Sequence, residues 1–263
     1  MTGFPPRSPA AGLELGAGEA HVWSVQLDPP PAEVERLGRS LAEDEWARAH
    51  RFRFEKHRRQ YVVGRGALRA LLAAYLGTRP EAVRFRYGPR GKPFLESGLE
   101  SAGGLQFNLS NSDEMALVGF VRGPEIGVDI EYLRSMPDCE QISERFFSES
   151  ERRVLRGIPG RAKEEAFFNC WTRKEAYLKA VGEGLAAPLD SFDVTLAPDD
   201  PPRMLTLEGD PERAARWFFH HLVPAEMYVG AIAIEGGAWE VKAWSFDPTD
   251  RSDPSDRSDQ LEA

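Results

Sequence analysis

The sequence predicts an α+β fold. Strand-like segments alternate along the chain with two long helical stretches, and one part of the first half is echoed in the second. Arg51-Phe52, followed by Arg65-Gly66-Ala67-Leu68-Arg69-Ala70, is matched loosely by Arg145-Phe146, followed by Lys174-Glu175-Ala176-Tyr177-Leu178-Lys179-Ala180. A chain of 263 residues can bury one large core or two half-sized ones.

The elements read in order as follows. Residues 1–18, rich in Pro, Gly and Ala, are expected to be loose. A strand is expected at about 21–27, a helical stretch near 33–50, and a long helix at about 57–76 that Gly77 stops. Strands follow around 81–87, 105–109 and 115–121. The turn Arg122-Gly123-Pro124-Glu125 leads into a strand at 126–131. Helical segments at 139–156 and about 161–181 come next, then strands near 191–196, 203–208, 216–223, 227–235 and 238–246. Residues 248–263 repeat Arg-Ser-Asp and Asp-Pro-Ser units with almost no apolar content, so disorder is expected there.

Composition excludes several classes. Hydrophobic residues make up 41% and charged residues 29%, and mean hydropathy is −0.44, as for a soluble globular protein. No apolar run approaches the roughly 18 residues that span a bilayer, and no basic-then-apolar signal pattern opens the chain. Two cysteines, Cys139 and Cys170, give no disulfide framework, and cytosol is the expected compartment. A net charge of −9 argues against general nucleic-acid binding. Between Arg48 and Arg69, however, lie eight basic residues and the single acid Glu55. That run is either a solvated helical face or a clamp for a polyanion.

Two segments carry the chemistry. In Gly127-Val128-Asp129-Ile130-Glu131 the apolar residues Ile126, Val128 and Ile130 alternate with Gly127, Asp129 and Glu131. Both carboxylates therefore leave one face of a strand, about 6–7 Å apart. Gly127 shares that face, which would leave room for a ligand; taken alone, the face reads equally as a solvated polar one. In Trp171-Thr172-Arg173-Lys174-Glu175-Ala176-Tyr177-Leu178-Lys179, Glu175 and Lys179 lie one helical turn apart, on the flank of an apolar stripe through Phe167, Cys170, Trp171, Leu178 and Val181. Lys174 falls within the stripe, so its amine must snorkel out or meet an anion. Three convergent carboxylates suit a hard divalent cation, and a cation beside lysines suggests phosphate chemistry.

With these segments in hand, the sequence resembles the Sfp-type 4′-phosphopantetheinyl transferases. The two segments are similar to that family's G-[IV]-D-I-E and W-x-x-K-E-[AS]-x-x-K motifs. Gly91-Lys92-Pro93, Phe107-Asn108-Leu109-Ser110-Asn111-Ser112, Phe146-Phe147-Ser148 and Gly182-Glu183-Gly184-Leu185 match supporting motifs in the family's order. The likeness runs over roughly 20–246. It implies two similar α+β halves packed as an intramolecular pseudo-dimer, with the active site between them. The expected division is a flexible segment at 1–18, a first half at 19–122, a second half with the metal site at 123–247, and a disordered tail at 248–263.

The resemblance also implies an activity. The 4′-phosphopantetheine arm of coenzyme A would move to a serine of an acyl or peptidyl carrier protein, releasing 3′,5′-adenosine bisphosphate. Asp129, Glu131 and Glu175 match Mg2+ ligands. Glu175 would be the general base on the serine, and Lys179 would stabilise phosphate charge. Lys92 and Ser110 match coenzyme-contacting positions, and Arg48 and Gln60 align with positions near the 3′-phosphate; Arg65 is added on charge alone. Where the family usually has Ser-His, this chain has Ser110-Asn111. Asparagine offers only neutral hydrogen bonds, about half as strong as the charge-assisted bond of a histidinium, or else it caps a turn. A monomer with no nucleic-acid or membrane partner is expected. Two other readings remain at this stage: a different Mg2+-dependent phosphoester enzyme on the same carboxylates, and a silent coenzyme- or carrier-binding protein.

Overall fold

The computed structural model describes residues 3–7, 9, 13–96, 104–182 and 188–247. The expected tail disorder and the Glu183-Gly184-Leu185 part of the last motif lie outside them. A two-residue strand, β1 (Pro6–Arg7), opens the chain, and two halves then repeat one order of elements. The first half runs β2 (Glu19–Gln26), α1 (Pro31–Gly38), α2 (Glu43–Ala49) and the long α3 (Glu55–Leu76). It continues with a hairpin of β3 (Phe85–Tyr87) and β4 (Pro93–Leu95), and then β5 (Leu105–Ser112) and β6 (Met115–Arg122). The second half runs β7 (Ile126–Tyr132), α4 (Cys139–Phe146), α5 (Glu149–Gly157) and the long α6 (Arg161–Val181). A hairpin of β8 (Phe192–Val194) and β9 (Met204–Leu207) follows, then the one-turn α7 (Pro211–Ala214), β10 (Trp217–Leu222) and β11 (Tyr228–Glu235).

Sheet topology repeats as well. In the first half β6 is antiparallel to both β2 and β5; in the second, β11 is antiparallel to both β7 and β10. The final strand, β12 (Glu240–Phe246), crosses back to pair in parallel with β2, and β1 pairs in parallel with β12. The two halves therefore form the expected α+β pseudo-dimer, with β12 of the second half locked into the sheet of the first.

Each half has its own core between sheet and long helix. Trp23, Leu68, Leu71 and Phe120 are central in the first; Phe147, Phe167, Phe168 and Phe192 are central in the second. A third cluster joins them, with Ala20, Val22, Leu117, Ile126, Val128, Ile130, Ile232 and Ile234 packed between the sheets. Burying these β-branched and aliphatic side chains holds the halves together at about 25 cal/mol per Å2 of apolar surface.

Several boundaries differ from the sequence reading for local reasons. The helical stretch near 33–50 breaks at residues 39–42, and that at 139–156 breaks at Ser148. There the Ser148 side chain caps α5 by accepting from Glu151 N, while Glu151 accepts from Ser148 N. The strand expected at 81–87 is a 3-10 turn at Pro80–Ala82 followed by β3, because Pro80 cannot donate within a strand. Gly77 does end α3, in the left-handed conformation at φ 64°. The segment expected to be loose contains Leu13 and Leu15, both buried in the first core, and Arg7 stacks 4.4 Å from the Trp244 ring centroid. Bulk composition masked two leucines that find a pocket. Both cysteines are buried and free.

Gly127 has a different purpose from the one its composition suggests. A Cβ there would overlap the carbonyl oxygen of Ala176 and crowd the amide of Ala180, so the space beside β7 is filled by the backbone of α6. This close approach brings the helix onto the face that carries Asp129 and Glu131. Gly127→Ala is expected to destabilise the fold by about 3 kcal/mol through overpacking, read as a shift in the urea midpoint. A shift of only a few tenths of a molar would mean that α6 can move off the strand freely.

Candidate active site

Asp129 and Glu131 stand on the face of β7 against α6, and α6 supplies Glu175 and Lys179 one turn apart. Asp129 is buried; its Oδ1 accepts from Lys179 Nζ at 2.6 Å and from Ser110 Oγ at 2.9 Å. Lys179 Nζ also donates to Ser110 Oγ at 2.7 Å. Glu131 Oε2 accepts from Ser112 Oγ at 2.9 Å. Two buried carboxylate oxygens, Asp129 Oδ2 and Glu175 Oε1, have no hydrogen-bond partner.

The Asp129 charge acts on both neighbouring carboxylates. Burial raises the pKa of Glu131, with the Asp129 charge adding to it. Burial raises that of Glu175 as well, with Asp129 and then Glu131 adding to it and Lys179 opposing. Among the described residues no group of three or more His, Cys, Asp or Glu is placed to hold a metal ion. The Lys179 ammonium engages Asp129, and Ser112 engages Glu131, so the carboxylates do not converge on one point. The donor set nonetheless fits a hard cation, being all oxygen, mutually repelling and in part orphaned.

Beside this cluster lies a cavity of about 500 Å3. Arg48, Gln60, Arg65 and Asn111 all line it, so the structure brings together four of the residues expected at the coenzyme. Asn111 is a strand residue paired with Ala116, not a turn cap. Lys56 and His57, from the first turn of α3, also line the cavity, although the sequence singled out neither beyond the basic run. Arg48 lies 5.6 Å from the Tyr61 ring centroid. Gln60 Nε2 donates to Asp113 O at 2.8 Å, and Lys56 pairs with Glu114 at 3.0 Å, so both hold the β5–β6 turn at the cavity rim.

Other basic residues have structural partners. Arg69, which is buried, and Arg65 share the Glu45 carboxylate at 2.7 and 2.8 Å, and Arg65 also donates to Tyr87 Oη. Lys174 meets an anion, Glu151, at 2.8 Å with both side chains buried. Lys92 Nζ contacts Glu125 at 2.8 Å and the carbonyls of Lys179 and Ala180 at 2.8 and 3.2 Å. It thereby caps the C-terminal end of α6, where a cation is favoured by the helix dipole.

Strands β5 and β7 are the facing edges of the two sheets. Asn108 Oδ1 accepts from Val128 N at 3.0 Å, Ser112 Oγ accepts from Tyr132 N at 3.1 Å, and Ser110 between them reaches Asp129. Alternate side chains of one strand thus bond the other across the boundary between halves. Ser112 was visible in the sequence motif but carried no role there; only the pairing of the two edges gives it one.

Known proteins match the chain along most of its length. Residues 125–233 match the family model described as the 4′-phosphopantetheinyl transferase superfamily, and 25–120 match that described as 4′-phosphopantetheinyl transferase, N-terminal. The 4′-phosphopantetheinyl transferase HetI of Nostoc sp. is 41% identical over 92% of this chain and 97% of its own length. The putative 4′-phosphopantetheinyl transferase slr0495 of Synechocystis sp. is 34% identical over 65% of this chain and 68% of its own. The 4′-phosphopantetheinyl transferase psf-1 of Bacillus pumilus is 31% identical over 68% of this chain and 76% of its own. With both halves matched and the cluster seated between them, the chain belongs to the 4′-phosphopantetheinyl transferase superfamily.

Proposed function

We propose that the protein transfers 4′-phosphopantetheine from coenzyme A to a serine hydroxyl of an apo acyl or peptidyl carrier protein, with Mg2+ at Asp129, Glu131 and Glu175. The observation that carries this reading is the pair of orphaned, buried carboxylate oxygens beside a cavity rimmed by Arg48, Lys56, His57 and Arg65. A polyanion held in the cavity would place a phosphate group beside the carboxylates, and only a cation reconciles the two.

In this reading the cavity cations bind the phosphates of the coenzyme, and Asn111 and Gln60 add neutral hydrogen bonds. Mg2+, when bound, neutralises charge on the pyrophosphate. The serine oxygen forms a bond to the phosphorus that carries pantetheine, and the bond from that phosphorus to the bridging oxygen breaks. The 3′,5′-adenosine bisphosphate leaves with that oxygen. Glu175, whose pKa is raised by burial and by the Asp129 charge and whose Oε1 has no partner, takes the serine proton. Lys179 can exchange its bond to Asp129 for the phosphate, so its charge is available where the leaving group develops charge. One chain supplies both halves of the site, so a monomer is the working form in this reading. No helix among the described residues is long and apolar enough to cross a membrane.

Incubation with coenzyme A, Mg2+ and an apo carrier protein tests the reading. The expected result is a gain in carrier mass equal to one phosphopantetheine, dependent on Mg2+. Hydrolysis of the coenzyme with no gain in carrier mass would make the protein a phosphoester hydrolase instead. Coenzyme binding with neither reaction would make it a binding protein.

A further inference from the structure

We propose that Ser112 is a positioning residue that holds Glu131 in the acidic cluster against a competing pull from Arg134. This rests on the reading of that cluster as the transfer site. The Ser112 hydroxyl has one proton and two lone pairs. Tyr132 N can only donate, and it takes a lone pair at 3.1 Å. The hydroxyl proton is left for Glu131 Oε2 at 2.9 Å, so the backbone of β7 fixes the serine rotor and the rotor fixes the carboxylate. Ser110, from the same face of β5, likewise donates to the neighbouring Asp129, with Lys179 Nζ on its own lone pair.

Arg134 supplies the alternative. Its Nη1 lies 3.8 Å from the same Glu131 Oε2, three residues along the chain, with the guanidinium half exposed and 5.6 Å from the Phe168 ring centroid. Guanidinium–carboxylate pairs prefer a closer, two-pronged geometry than 3.8 Å allows. Glu131 is 23% exposed at its side chain, so it has room to turn outward. The remaining charges around it are Asp129 and Glu175, which repel it, and Lys179, which attracts it but is bonded to Asp129. Among the described residues of the cluster, Ser112 is thus the one that donates a hydrogen bond to the Glu131 carboxylate. Without the hydroxyl, repulsion from inside and attraction from outside both act to move Glu131 toward Arg134.

The test titrates Mg2+ into the whole chain with coenzyme A present and no carrier, following heat of binding, for the wild type and four variants. Ser112→Ala is expected to weaken Mg2+ binding about ten-fold or more, the scale found when a partner that orients a metal ligand is removed. Ser112→Thr, which keeps a hydroxyl, stays near the wild type. Ser112→Ala with Arg134→Ala recovers most of the loss, because the competitor is gone; a merely structural serine would show only the roughly two-fold gain that removing an exposed cation gives by itself. If the alanine variant does not fold, Arg134→Ala alone decides, with Mg2+ binding expected to tighten about two-fold, the scale of an exposed ion pair. Unchanged binding in Ser112→Ala, a recovery in the double variant no larger than about two-fold, or unchanged binding in Arg134→Ala where it must decide, each overturns the proposal. Carrier transfer by the wild type is measured alongside: its absence sinks the proposed function, whereas the Mg2+ constants judge Ser112.

Discussion

Lys174→Ala is expected to lower folding stability by about 3–5 kcal/mol, a large share of what a domain of this kind has. The amine is buried with the Glu151 carboxylate at 2.8 Å, donates to the carbonyls of Leu189 and Phe192, and lies 4.2 Å from the Phe192 ring centroid. Truncation would leave Glu151 buried beside two unanswered carbonyls. Burial already raises the pKa of Glu151, and Lys174 is the leading influence pulling it back. The first half has the same arrangement: Glu45, near the start of α2, accepts from Ala42 N and pairs with Arg69 on the long helix, and Arg69 donates to the carbonyls of Pro80 and Val83. In both halves a buried ion pair ties the second short helix to the long helix, and its cation also holds a 3-10 turn, Pro80–Ala82 in the first half and Leu189–Ser191 in the second; in the first half Arg65 shares the carboxylate.

Among the described residues no cluster like that of Asp129, Glu131 and Glu175 accompanies the first copy of this device, which assigns Lys174 to the fold and leaves the proposed chemistry to its neighbour Glu175. Arg69→Ala should therefore also destabilise, but by less than Lys174→Ala, because Arg65 still answers Glu45 at 2.8 Å, and the fraction of either variant that remains folded should transfer at close to the normal rate. Urea unfolding and activity per folded molecule check both statements. A loss under about 1 kcal/mol, typical of an exposed pair, would mean that water reaches Glu151.

How much of this was legible beforehand depended on whether the signal was local. Helices α3 and α6, the strand β7 and the Glu175–Lys179 turn follow from periodicity, which any window of the chain contains. The ion pair of Lys174 was half legible: its place in an apolar stripe demanded an anion, but Glu151 lies far along the chain, and only packing selects it. Gly127 was misjudged because a glycine facing a ligand and a glycine facing a helix backbone look alike in sequence. Lys92 was assigned to phosphate by resemblance, yet its amine lies on the end of α6, a contact set by how the two halves close. Leu13 and Leu15 were lost in a Gly- and Ala-rich context. The stitching of β5 to β7 was not legible at all, since side chains that bond the backbone of another sheet edge leave no periodicity of their own.

The carboxylates themselves give the other large effect. Glu175→Gln is expected to reduce transfer by about 10²–10⁴-fold, the range lost with a general base, while the protein melts at the same temperature or slightly higher. The two halves of that statement have one cause. Glu175 is raised in pKa by burial and by the charges of Asp129 and Glu131, and its Oε1 is buried without a partner. Glutamine keeps the volume and removes the repelling charge, so the folded state loses a cost at the same step at which the reaction loses its base. Asp129→Ala should also abolish transfer, but with the opposite sign in stability, because it strips Lys179 and Ser110 of their shared acceptor. Measuring melting temperature and carrier loading for both variants at saturating Mg2+ separates the roles. Near-normal loading by Glu175→Gln would remove it as base, and near-normal loading by Asp129→Ala would remove the acidic cluster from the chemistry altogether.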